Sequence, residues 1–121
     1  MTMNGHAIQR TVRQSPRKMR LVIDLIRGQN VNDAYAVLKV SKKLAARQVA
    51  KTLRSAVANA EQKALAANEV FDVDRLVVTK AIVNEGQTLK RIHAAAQGRA
   101  TPIRKRTSHV EIHVNAKKEK A

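Results

Sequence analysis

Two runs near the C-terminus alternate in character with a period of two, and a 23-residue segment, 84–106, lies between them. In the first, Leu76, Val78 and Ile82 alternate with Val77, Thr79 and Val83; in the second, Val110, Ile112 and Val114 alternate with His109, Glu111 and His113. Such alternation puts one set of side chains on each face of a strand, and the two runs suit antiparallel partners. Ordinary hairpin loops are only about two to five residues long. The segment is therefore either a disordered loop or an outward continuation of the hairpin as an arm. Leu89, Ile92 and Ile103 would be wasted in a fully solvated loop, which favours the arm, with Gly86 and Gly98 as bends. Glu85 is its sole acid, against Lys90, Arg91, Arg99, Arg104, Lys105 and Arg106. An arm so charged cannot pack on its own core and has to be held by a partner.

Upstream, the period is helical. His6 to Gln14 first permits a short strand, with Ile8 and Val12 alternating with Arg10 and Arg13. Ser15-Pro16 then reads as N-cap and first helical position. Met19, Val22, Ile23 and Ile26 form one apolar stripe, and Gly28 closes the helix. Asn32 or Asp33 can cap a second, short helix with Ala34, Val37 and Leu38 facing inward. Ser41 can cap a third, from Lys42 to Ala67, on the order of 39 Å long. Its buried side reads as Val49, Leu53, Ala56, Val57, Ala60 and Ala64, so alanine-rich that whatever packs there must come close. Asn59, a poor helix former in the middle of that helix, is expected to bond a neighbouring backbone.

Charge decides the class of partner. The 121 residues carry 24 Lys+Arg against 9 Asp+Glu, a formal charge of +15. Residues 1–20 contribute +5, residues 21–79 only +3, and residues 80–121 contribute +7. A near-balanced middle between two basic ends implies a polyanion, nucleic acid or anionic membrane, at the ends. With 44% hydrophobic residues a core is available, but Tyr35 and Phe71 are the only aromatics. Two rings cannot supply both a core and a base-stacking platform, so phosphate contact and RNA shape outweigh base reading. The absence of cysteine excludes disulfides, Cys-ligated zinc and a thiol nucleophile and suits a reducing compartment. Met1 to Gln9 carries no signal-like apolar run, which predicts a soluble intracellular protein.

No catalytic constellation is present, and the prediction is that the chain is not an enzyme and needs no cofactor. Gly5, Gly28, Gly86 and Gly98 are too scattered for a phosphate-binding loop. His109 and His113 share a strand face but would stand roughly 13 Å apart, too far to share a metal ion. Three basic clusters remain. Arg13, Arg17, Lys18 and Arg20 bracket a helix N-terminus, whose free N–H groups favour phosphate. Lys90, Arg91 and Arg99 lie in the arm. Arg104, Lys105 and Arg106 precede Thr107, Ser108 and His109, with hydroxyls that can reach phosphate or 2′-OH groups.

Four stretches taken together resemble bacterial large-subunit ribosomal protein twenty-two. They are Ser15-Pro16-Arg17-Lys18-Met19-Arg20-Leu21-Val22; Asp24-Leu25-Ile26-Arg27-Gly28; Ser55-Ala56-Val57-Ala58-Asn59-Ala60; and Asn84-Glu85-Gly86 through Leu89-Lys90-Arg91 and Gly98-Arg99-Ala100 to Lys105-Arg106-Thr107-Ser108-His109. Their order and spacing cover roughly residues 6–114. The resemblance implies an α+β body at the outer mouth of the nascent-peptide exit tunnel and a long β-hairpin reaching inward along its wall. It also implies contacts with several domains of 23S rRNA, an early part in subunit assembly, neighbouring ribosomal proteins as partners and a cytoplasmic location in the large subunit. Carried over by position, Ser15, Arg17, Lys18, Arg20, Arg99 and Arg104 to His109 are expected rRNA contacts, and Arg13 is expected with them from its basic cluster. Leu89, Lys90, Arg91, Ile92, His93 and Gly98 are expected at the tunnel-lining end, near nascent peptide and the region where macrolides lodge. One departure is at the tip, where the family's frequent Met-Pro-Arg-Ala-Lys is here His93-Ala94-Ala95-Ala96-Gln97; contacts resting on those charges and that proline do not carry over.

The expected architecture is three helices packed on a small antiparallel sheet with a long protruding β-hairpin arm. The chain reads as one domain, with a body at about 6–83 and 107–114, an arm at about 84–106 and a disordered tail at about 115–121, present as a monomer within the ribosome. Two other readings compete. A DNA-architectural protein would use the arm around duplex DNA with Pro102 as a wedge, but such proteins are usually symmetric dimers and no dimer seam is visible. A membrane-surface protein would need a bulky apolar helix face opposite dense cations, whereas the long helix is alanine-faced.

Overall fold

The computed structural model of the chain describes residues 4–116. Its elements are β1 (Asn4–Val12), α1 (Pro16–Ile26), α2 (Val31–Val40), α3 (Ala45–Ala66), a 3-10 turn at Val73–Arg75, β2 (Leu76–Ala94), a second 3-10 turn at Ala96–Gly98, and β3 (Ala100–Ala116). This is the expected α+β arrangement. The sheet is antiparallel with order β1-β3-β2, so the last strand is central and pairs on both edges. Helices cover one face of its inner half. Val110, Ile112 and Val114 of β3 are buried there with Leu76, Val78, Ala81 and Val83 of β2, against Met19, Ile23 and Ile26 of α1 and Val49 and Leu53 of α3.

The 23 intervening residues do continue the hairpin. Pairing runs unbroken in sense from Leu76↔Ala116 to Ala94↔Ala100, with register shifts between Val78 and Lys80 and between Glu85 and Thr88. Beyond the second shift the strands leave the body, and the roughly nine residues to the tip span about 30 Å. Gln97 (φ 63°) and Gly98 (φ 70°) turn the chain, and Ala95 N–H donates to Arg99 O at 2.7 Å. Gly86 is not a bend. It sits at the bulge where a Cβ would lie 2.6 Å from Thr107 Oγ1, so its bareness admits the neighbouring strand.

The alanine stripe of α3 has the close neighbour it calls for. Ala56, Ala60 and Ala64 are fully buried, and β1 crosses them at Gly5, where an added Cβ would stand 2.5 Å from Ala56 O and 2.6 Å from Ala60 N. Asn59 Nδ2 donates to His6 O at 2.8 Å, the expected backbone bond, and pins the same crossing.

Several sequence expectations shift. In β1 the inward residues are Gly5, Ala7 and Val12, and Ile8 is 46% exposed, because a register shift between Gln9 and Val12 changes which positions face in. The bulge after Val78 does the same in β2, so Ala81 and Val83 face the core in place of Ile82. Asn30, not Asn32 or Asp33, precedes α2, and Asn32 Nδ2 instead donates to Asp74 Oδ1. The buried stripe of α2 is Val31, Ala34 and Leu38, while Val37 is exposed. Ser41 ends α2 and does not start α3, which begins at Ala45 and is about 33 Å long at its 22 residues. Val57 is only half-buried. Asn115 and Ala116, expected in the tail, continue β3, and the remainder of that expected tail, 117–121, lies outside the described residues.

Candidate nucleic-acid interface

The N-terminus of α1 is built as its sequence indicates. Ser15 adopts an extended backbone, its Oγ accepts from Lys18 N–H at 3.4 Å, and Pro16 occupies the first turn, which holds no acidic residue. That leaves the positive end of the helix facing outward without a carboxylate of its own. The base of the arm comes to the same place. Arg13, Gln14, Ser15 and Lys18 line one side of a cleft of about 460 Å³, and Arg104, Lys105, Arg106 and Thr107 line the other. Two clusters some 90 residues apart thus meet in one carboxylate-free concavity of five cations.

Not every expected residue joins it. Arg17 and Arg20 sit on α1 outside the cleft lining, both exposed, and Arg20 Nη2 donates to Val83 O at 3.0 Å, bracing α1 against β2. Arg99 lies in the tip, about 23 Å along the strand from Arg106. Thr107 and Ser108 are 1% and 0% exposed, because the bulge at Glu85–Thr88 turns both inward. Thr107 Oγ1 donates to Gln87 O. Neither hydroxyl lies on the surface, so the expected hydroxyl contacts have no outward group in this conformation. His109 Nδ1 accepts from Thr11 N–H at 2.9 Å and holds the β1 bulge, where Thr11 takes φ 56°. Its first role is therefore structural. His113 faces the same way as His109 but stacks on His6 at 5.1 Å between ring centroids and pairs with Glu111 Oε1 at 2.8 Å. The hydrogen bond from His113 holds the Glu111 carboxyl below the usual carboxylate range. Among the described residues no three His, Asp or Glu side chains gather as metal ligands, and no helix is long and apolar enough to cross a membrane.

In the arm, Leu89, Lys90, Arg91, Ile92 and His93 form the outer half of β2 and Gly98 the turn. Lys90 stands directly across from Arg104, and Leu89 from Lys105. Like charges directly opposed across a ladder are destabilising by a few tenths of a kcal/mol to about 1 kcal/mol. Ile92 is 78% exposed and paired with Pro102, so the arm holds an apolar pair and facing cations in open solvent. Pro102 lies along the strand and not at the turn, which removes the geometry of a terminal wedge.

A comparison with protein families gives the identity: the model for ribosomal protein L22p/L17e matches residues 7–115, all but the first six and last six positions. The chain belongs to that family. Ribosomal proteins of this family are structural constituents of the large subunit, so the protein binds rRNA, serves translation and resides in cytoplasmic large subunits. The basic arm and the cleft at its base are thereby surfaces of an rRNA-binding protein.

Sequence reasoning missed a second cationic concavity. Between α2 and α3 lies a groove of about 1330 Å³ bordered by Lys39, Lys42, Lys43, Arg47, Lys51 and Arg54, with no carboxylate in its lining. Totals by segment hid it, because the acids of the middle region lie elsewhere on the body. The spacing of Arg47, Lys51 and Arg54, at i, i+4 and i+7, was the legible signal.

Proposed function

We propose that this chain is the bacterial-type member of the family, seats 23S rRNA at the arm-base cleft early in subunit assembly, and lines the nascent-peptide exit tunnel with the outer half of its hairpin. The observation that carries the reading is the meeting of Arg13 and Lys18 with Arg104, Lys105 and Arg106 around the exposed N-terminus of α1. Arginine forks grip phosphate oxygens bidentately, lysines neutralise neighbouring phosphates, and the helix end adds its partial positive charge, its Lys18 and Met19 N–H groups being already taken by Ser15. The opposed Lys90 and Arg104 support a polyanion along the arm, since RNA phosphates turn a repulsive pair into a shared site. Neighbouring large-subunit proteins and the nascent peptide are the protein partners in this reading, with Arg91, Ile92 and His93 nearest the peptide.

The test is a pair of variants. Arg104→Gln, Lys105→Gln and Arg106→Gln together remove three exposed cations and no core, so the circular dichroism spectrum should be unchanged. The slope of log affinity for 23S rRNA against log salt should fall by about 2 to 3. An unchanged slope would reject the cleft as the phosphate site. Leu89–Arg91 are cross-strand paired, so the arm has to be shortened on both strands. Replacing 92–102 by Asn-Gly keeps Arg91 opposite Ile103 and supplies a two-residue turn. Subunit incorporation should persist while macrolide inhibition of translation changes. Lost incorporation would make the tip an assembly anchor, and unchanged drug response would place it away from the tunnel.

A further inference from the structure

The groove between α2 and α3 shares one lining side chain with the arm-base cleft, Leu44, which is 69% exposed. Three observations bear on what occupies it. Six cations border it without a carboxylate. The acids on the two helices that form it, Asp33 of α2 and Glu61 of α3, lie outside its lining. Its floor is apolar, formed by Leu38, Ala46 and Ala50, with the half-buried Tyr35 at its side.

We propose that this groove is a second RNA site, continuous with the arm-base cleft over Leu44, so that one stretch of RNA backbone crosses the body from Arg54 to Arg106. The proposal rests on the reading of the arm-base cleft as an rRNA site and extends it. Arg47, Lys51 and Arg54 form a stripe one helical turn apart along α3. From Arg47 to Arg54 the helix rise gives roughly 10 Å, and Lys42 and Lys43, in the link before α3, add cations at its start, enough together to meet consecutive phosphates. A smooth apolar floor suits the sugar edge of a shallow RNA groove, which is read by shape and 2′-OH contact and not by base stacking. The Tyr35 phenol at its side is a donor at neutral pH and can reach a phosphate or 2′-OH. Exposed Leu44 at the junction covers backbone between the two halves. An acidic protein segment would match the charge, but would leave unexplained why the groove runs into the arm-base cleft.

The experiment uses the full chain and a 23S rRNA transcript as probe. Lys42→Gln, Lys43→Gln, Arg47→Gln and Lys51→Gln are combined in one variant, all at exposed positions outside the core. Its salt slope should fall by about 3, with at least a tenfold loss of affinity at 200 mM salt. The arm-base variant Arg104→Gln/Lys105→Gln/Arg106→Gln is measured beside it. Wild-type behaviour of the groove variant with loss in the arm-base variant overturns this proposal and leaves the first reading standing; wild-type behaviour of both overturns the two together. Continuity is read separately. The chain has no cysteine, so Arg47→Cys and Lys105→Cys each carry a single hydroxyl-radical source. Cleavage from both positions within one contiguous RNA stretch is expected, and cleavage on unconnected stretches refutes the single track. Binding of an oligoglutamate peptide by wild type but not by the groove variant, with rRNA binding unaltered, would make the groove a protein site and refute the proposal.

Discussion

Replacing Gly5 by alanine tests the closest approach in the body. Two effects oppose each other. Gly5 is not among the glycines with positive φ, which are Gly28 and Gly98, so alanine suits its backbone and restricts the unfolded chain, a gain of about 0.4–1 kcal/mol. Against this, the new Cβ would stand 2.5 Å from Ala56 O, 2.6 Å from Ala60 N and 3.0 Å from Ala60 Cα. These are backbone atoms of a hydrogen-bonded helix and cannot swing aside as a side-chain end would. β1 and α3 must separate by several tenths of an ångström, loosening Ala7, Ala56 and Ala60 and stretching the Asn59 bond to His6. Overpacking of this kind costs about 1–3 kcal/mol and sometimes more, so the clash wins, with a net loss of about 1–2 kcal/mol. For a chain of this size that lowers Tm by roughly 3–12 °C. Urea and thermal unfolding followed by circular dichroism measure it. Gly28 provides the contrast, since nothing lies within 4 Å of its Cβ position but its φ is +81°. Gly28→Ala should therefore lose about 1 kcal/mol, and Gly28→Asn less, because asparagine tolerates the left-handed region. At Gly5 asparagine should be worse than alanine. A Gly5→Ala protein as stable as wild type would refute the argument, as would rescue by Ala60→Gly, which leaves the clashing backbone atoms in place.

Core position on α3 should be readable by truncation: Leu53→Ala, at a fully buried site, is expected to cost about 2–5 kcal/mol, and Val57→Ala, half-buried, about 1 kcal/mol or less, in urea titrations. Equal losses would contradict the observed helix phase. The Glu111 carboxylate, lowered by its bond from His113, contributes stability above the ordinary carboxylate range that fades as pH falls through its folded value. Wild type should thus exceed Glu111→Gln in urea midpoint at neutral pH by a small margin that closes below about pH 4, and a margin independent of pH would show that the contact is not ionic.

The helices were legible because their signals are local. Ser15-Pro16 and the stripe Met19, Val22, Ile23, Ile26 stand in the structure as read, since capping and a 3.6-residue period involve neighbours along one turn. Strand phase was less legible. Simple alternation groups Ile8 with Val12 and Ile82 with Leu76 and Val78, and the register shifts in pairing with β3 take Ile8 and Ile82 off the face that those partners bury. Thr107 and Ser108 followed the same error, because a hydroxyl beside three cations reads as a surface group until the bulge turns it in. The α2–α3 groove shows in the sequence only as the spacing of Arg47, Lys51 and Arg54. Net charge sums over a segment, whereas binding depends on which charges share a face, and only packing of α2 on α3 separates the cations there from the acids.

The sequence by itself determined the class of the molecule: its charge, its lack of aromatic platforms, a close-packing alanine face and a basic segment, loop or arm, too charged to pack on the body. Those are properties of composition and of residues one or two turns apart, and they survive in any compact arrangement. The tertiary structure alone decided that β3 is the central strand, that Gly5 is the point where β1 meets α3, and that Arg13 and Lys18 face Arg104 to Arg106 across one cleft. Each of these depends on chain segments about 50 to 110 residues apart coming together, and such contacts are fixed by register and packing, which no local periodicity encodes.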